Sequence, residues 1–178
     1  MTIQSTFPRD GNRIPVTGHG LITEKTLTFT GDDATVATPI FTITGVVEVL
    51  KLGGVVITTL GANHTDAHFR VNDQTATDQI ITKATTLDLS GISPGAIIFK
   101  SGLITAVATY KSSDAASVYE PTTLQTSLYT PFIITQKTGG IQTDIEYVYT
   151  TTDDPTSGSI SFEIGWLPLS DGASIDAS

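Results

Sequence analysis

The chain has 178 residues, with 18 acidic against nine basic side chains and a formal net charge of −9. That length suits a single domain able to bury a core of its own. So few bases argue against a nucleic-acid surface, the absence of cysteine excludes disulfides, thiol nucleophiles and thiolate metal sites, and 39% hydrophobic with 15% charged residues is not the composition of a disordered chain.

In chain order, residues 1–20 come first. Met1 to Asp10 is polar and lacks a basic start followed by an apolar run, so it does not read as a signal peptide. Pro8, Gly11, Pro15, Gly18 and Gly20 punctuate the segment, which predicts an extended N-terminal arm outside the domain. No later stretch approaches the roughly 18 apolar residues of a membrane span, so a soluble protein made in a cytoplasm is expected.

Residues 21–169 are predicted to form one all-β domain. Threonine supplies 32 residues and isoleucine 19, and these β-branched side chains favour strands. Leu27 and Phe29 alternate with Thr26, Thr28 and Thr30, and Phe41 and Ile43 alternate with Thr42 and Thr44. The apolar run continues through Val46, Val47 and Val49, is interrupted by Gly53-Gly54, and resumes from Val55 to Leu60. Ala67, Phe69 and Val71 alternate with His68, Arg70 and Asn72. Further strands are expected at 79–82, 96–100, 103–109 and 132–136, with Gly, Asn, Asp or Pro in most gaps. One short helix is expected over Asp114 to Tyr119, capped by Ser112-Ser113 and stopped by Pro121.

Near the C-terminus the period of two is clearest. Ile141, Thr143, Ile145, Tyr147 and Tyr149 share one face, and Ile160, Phe162, Ile164 and Trp166 share another. The turn formers from Thr151 to Gly158 between them predict a long hairpin. Residues 170–178 are small and polar and read as a tail beyond the domain.

Candidate sites are few. Gly91-Ile92-Ser93-Pro94-Gly95 matches G-x-S-x-G, but Pro94 has no N–H to offer an oxyanion and no helix pattern follows, so a turn is expected. His64 and His68 stand four apart, as in H-E-x-x-H, yet Thr65 replaces the glutamate and His19 is remote. They read as a solvated turn histidine followed by an outward-facing strand histidine. Asn63-His64-Thr65 is a glycosylation triplet by composition alone. Asp32-Asp33 and Asp153-Asp154 lack the spacing of a calcium loop and read as solvated turns. Arg70, Asn72 and Asp73 read as a loop-bracing polar cluster, and Tyr110, Tyr119 and Tyr129 as edge fillers or stacking surfaces. No catalytic, cofactor-binding or metal site is predicted, no cofactor is expected, and the binding residues are unknown.

The Thr/Ile/Gly/Ser-dominated β pattern resembles small structural proteins of tailed-bacteriophage virions. The Cys-free acidic composition, the closing run from Gly158 to Leu169 and the stretch from Phe69 to Ala76 carry the same resemblance. It implies a jelly-roll-like or related antiparallel β-sandwich, homotrimeric assembly and no enzyme activity. It also implies a capsid decoration (cement) role on the outer surface of a phage head, with the phage major capsid protein as partner and neither nucleic acid nor membrane bound. A fibre or tail module that binds host glycans is the alternative. The arm would suit a strap lying on a neighbour, its backbone pairing with a sheet edge there.

Overall fold

The computed structural model describes residues 20–29, 35–74, 79–82, 87–100, 109–111, 131–151 and 157–178. Eleven strands run through them: β1 (Leu21–Thr28), β2 (Thr35–Thr44), β3 (Val46–Thr58), β4 (Thr65–Asn72), β5 (Gln79–Ile80), β6 (Ile97–Phe99), β7 (Thr109–Lys111), β8 (Phe132–Thr135), β9 (Thr143–Thr150), β10 (Ser159–Pro168) and β11 (Ser174–Ala177). The described residues include no helix. The segment expected to be helical, the two Asp-Asp pairs, His19, Tyr119, Tyr129 and all of the arm except Gly20 lie outside them.

The strands form two antiparallel sheets packed as a β-sandwich. One sheet runs β1-β10-β3-β6-β7, with β8 also on β3, and the other runs β11-β2-β9-β4-β5. The first strand pairs with the tenth, the second with the ninth, the third with the eighth and the fourth with the fifth. That nesting is one long hairpin rolled up on itself, the jelly-roll arrangement. β3 is long enough to hold β8 along Val46–Val49 and β6 along Gly53–Val55.

This topology corrects the predicted C-terminal hairpin. β9 lies between β2 and β4, and β10 lies between β1 and β3 in the opposite sheet. In a rolled ribbon most consecutive strands face each other across the core instead of pairing, and β9 and β10 accordingly belong to different layers. The alternation itself holds. Ile160, Phe162 and Ile164 are fully buried and Trp166 nearly so, against Phe41, Phe69 and Tyr147 of the other sheet. Each such side chain contributes about 1.5–3 kcal/mol of transfer free energy on burial.

Two glycine positions show how the roll is made. Gly45 alone separates β2 from β3 at φ 69°, and a Cβ there would stand 2.7 Å from Ser170 Oγ. Its left-handed backbone lets the chain leave one sheet and enter the other within one residue. Gly53-Gly54 does not interrupt β3 as expected. A Cβ on Gly53 would lie 2.7 Å from the Ile98 carbonyl oxygen, and one on Gly54 2.8 Å from Ile160 Cγ2. The glycines are there because neighbouring strands come too close for side chains.

Residues 170–178 are not a free tail. β11 pairs with Phe41–Thr44 and buries Ile175. Thr23 Oγ1 donates to the Ile175 carbonyl at 2.8 Å, and the Lys25 ammonium donates to the Ser178 carbonyl. These bonds stitch the edge strand of one sheet to the edge strand of the other. The lone apolar Ile175 between polar neighbours was too short a signal to read as a strand.

Candidate functional site

The outward face of the β1-β10-β3-β6 sheet can be mapped from its register. One row reads Ile22, Gly165, Lys51; the next Glu24, Glu163, Gly53, Phe99; the third Thr26, Ser161, Val55, Ile97. Solvated sheet faces ordinarily carry polar side chains. Here Ile22, Val55 and Ile57 are 52%, 39% and 49% exposed. Val55, Ile57, Ile97 and Phe99 line a shallow trough of about 460 Å³ whose floor at Gly53 is bare backbone.

The charges along the trough are unequal. Glu24 stands directly opposite Glu163 across the β1–β10 pair, an unfavourable juxtaposition of like charges. Lys51 relieves it by pairing with Glu163. Its stem reaches there by lying flat on Gly165, where a Cβ would come within 2.8 Å of Lys51 Cγ. Glu24 is exposed and makes no polar contact with any described residue. The arrangement offers an apolar seat flanked by one unpaired carboxylate. Among its described lining residues no nucleophile is held by a base.

The outward face of the other sheet behaves differently. Asp144 and Glu146 of β9 are 1% and 4% exposed. Thr42 Oγ1 and Gln142 Nε2 donate to Asp144 at 2.7 and 2.8 Å. Arg70 Nε and Asn72 Nδ2 donate to Glu146 at 2.6 and 2.9 Å. The polar cluster predicted at Arg70, Asn72 and Asp73 therefore does brace the structure, but through a cross-strand carboxylate 70-odd positions away in sequence. Asp73 joins by its carbonyl oxygen, which accepts from Lys137 Nζ at 3.3 Å. A second groove of about 520 Å³ lies between β5 and β8, with Ile80 and Ile133 exposed on its walls. Beside it, Lys100 is 3% exposed with its ammonium 4.8 Å from the centre of the Phe132 ring, and burial lowers its pKa.

The two histidines do not converge. His68 lies on the outward face of β4, its Nδ1 2.7 Å from the Asp66 carbonyl oxygen. His64, expected on a solvated turn, is fully buried. Its ring stacks on Tyr149 at 4.5 Å, meets Phe29 edge-on at 4.9 Å, and places Nε2 2.7 Å from the Tyr147 hydroxyl. Its amide N–H donates to Ser90 Oγ and its carbonyl accepts from the Leu89 N–H. Nδ1 has no partner. Burial lowers the His64 pKa to about 4, opposed only in part by Asp88. The ring is an inter-sheet joint, and only the aromatics recurring at Phe29, Tyr147 and Tyr149 hinted at the box that holds it.

Gly91 to Gly95 forms the predicted turn. The Leu60 and Gly95 N–H groups bond the Ile92 and Val56 carbonyls, tying it to the end of β3 and the residues after it. Tyr110 contributes its backbone to β7. Among the described residues no three His, Cys, Asp or Glu side chains gather as a metal site would require. The trough itself went unread in the sequence, although Val55-Val56-Ile57 offered a signal. Consecutive apolar residues in a strand with one buried face must leave some of them outside.

Comparison of the chain with protein-family models, with curated proteins and with solved structures gives no match.

Proposed function

We propose that the protein is a non-enzymatic structural component of a tailed-bacteriophage virion, a decoration protein that seats on the outer face of the head and reinforces contacts between capsid subunits. The observation that carries the reading is the exposed aliphatic trough on a hydrogen-bonded sheet, formed by Val55, Ile57 and Ile97 over the bare backbone of Gly53. An aliphatic surface held on strands contributes binding free energy through burial, without ordering a flexible loop. The resemblance of the Thr- and Ile-rich, Cys-free chain to virion proteins supports the same role, and homotrimeric assembly belongs to the proposal.

Purified protein is mixed with phage heads that lack decoration and, separately, with host cells. The proposal expects saturable cosedimentation with heads and a mass of three chains by light scattering. Saturable binding to cells that soluble host glycan competes away, with no binding to heads, would replace it by the glycan-binding reading.

A further inference from the structure

The trough's walls and its charges select different parts of a partner. The walls that reach solvent are aliphatic, so they favour an aliphatic side chain over a sugar face, which stacks on aromatic rings. Of the three charged side chains that the described residues place at the trough, Lys51 and Glu163 neutralise each other and Glu24 is left over. A second copy docking trough to trough would bring two such carboxylates together between chains that each carry −9, so the charge disfavours self-association by this face. An anionic partner meets the same objection. A cation finds a carboxylate with no competing donor among the described residues.

The spacing sets the length of the partner. Glu24 stands two strands from Gly53, and Val55 two residues further along β3. Strand separations and rise place Glu24 and Val55 about 12 Å apart. An extended segment with an aliphatic side chain at one position and lysine or arginine two residues later covers that distance, because alternate residues on one face lie about 6.6 Å apart and the long basic stem supplies the rest.

We infer that the trough binds an extended protein segment of the pattern aliphatic-x-Lys/Arg, with the aliphatic side chain seated on Val55, Ile57 and Ile97 and the cation on Glu24. The inference rests on the reading of this face as the attachment surface and adds the chemistry of what attaches.

Four capped peptides serve as probes: Leu-Ser-Arg, Leu-Ser-Gln, Leu-Ser-Glu and Ser-Ser-Arg. Each is titrated into uniformly ¹⁵N-labelled full-length protein and followed by amide shifts. Shifts are expected at Gly53, Val55, Ile57 and Ile97, with Leu-Ser-Arg binding about two- to fivefold tighter than Leu-Ser-Gln, the range of an exposed ion pair. Leu-Ser-Glu and Ser-Ser-Arg are expected to be weaker still. In Glu24→Gln the arginine and glutamine peptides become equal, while paired Val55→Ser and Ile57→Ser weaken all leucine peptides. Equal affinity for the arginine and glutamate peptides, shifts away from the trough, or no shift at millimolar peptide would overturn the inference. Head binding separates this from the attachment reading. If the peptides discriminate as expected but the serine variant decorates heads normally, attachment through this face fails and the trough chemistry stands. If the peptides do not discriminate but the serine variant loses heads, the reverse holds.

Discussion

The two outward faces of the sandwich spend their polar groups in opposite ways. On the β2-β9-β4 face, Asp144 and Glu146 are buried and each accepts two side-chain donors, Arg70 and Asn72 of β4 for Glu146, and Thr42 of β2 with the nearby Gln142 for Asp144. On the β1-β10-β3-β6 face, aliphatic side chains reach solvent at Ile22, Val55 and Ile57, and Glu24 faces Glu163 with only one lysine between them. A face whose donors and acceptors are matched internally holds the fold together. A face with exposed apolar area and an unmatched charge keeps its interaction capacity for something outside. Substitutions on the first should therefore cost stability, and those on the second should cost binding.

The largest effect is expected on the first face. Arg70→Ala leaves Glu146 buried with Asn72 as its remaining side-chain donor, and breaking such a pair costs about 3–5 kcal/mol. For a chain of this size each kcal/mol moves the melting temperature by about 2–4 °C, so thermal unfolding should show a drop of at least about 6 °C. A drop under about 2 °C, the shift that 0.5 kcal/mol would produce at most, would mean the pair is incidental.

His64 yields the next largest effect, and it depends on pH. The folded protein holds this imidazole at a pKa of about 4, below the 6.5 of the unfolded chain. Between those values the unfolded state binds the extra proton, so stability is intact above pH 6.5 and falls as pH drops toward 4. The fall amounts to about 3 kcal/mol at 1.36 kcal/mol per pH unit. Denaturant unfolding of the wild type and His64→Phe across this range checks it, because the difference between the two curves should change by that amount. A constant difference would show that His64 is not the group responsible.

Steric crowding inside β3 should matter less than either. Gly53→Ala places a methyl 2.7 Å from the Ile98 carbonyl oxygen, backbone that cannot step aside cheaply. A loss of about 1–3 kcal/mol in chemical denaturation is expected, whereas a neutral result would mean β6 shifts freely.

How far these features could be read in the sequence follows from what local patterns encode. The alternation at Ile160–Trp166 and Thr143–Tyr149 marks which side chains are buried, because the period of a strand is local. It carries no information on which strand lies alongside. β10 meets β1 some 140 residues away, and a hairpin with β9 is the natural inference from turn residues alone. Gly53-Gly54 looks like punctuation until β6 and β10 are in place to crowd it. His64 looks like a turn residue until Phe29 and Tyr149, from opposite ends of the chain, close over it. The trough depends on the same long-range pairing, since only the register sets Glu24, Glu163 and Gly53 in one row.

The smallest effect on stability should come from the second face. There, Val55→Asp with Ile57→Asp changes exposed positions, and surface changes ordinarily fall within about 0.5 kcal/mol. Head attachment by that variant decides whether the trough is the seat. Its occupancy on undecorated heads is compared with that of the wild type from about 0.05 to about 0.5 M NaCl, across which the Debye length shrinks about threefold. Attachment through an aliphatic seat with one flanking ion pair predicts that the wild type keeps most of its occupancy over the whole range while the folded double variant fails to bind at any salt. Equal occupancy of the two proteins, or loss of most wild-type protein by the upper salt limit, would contradict the account.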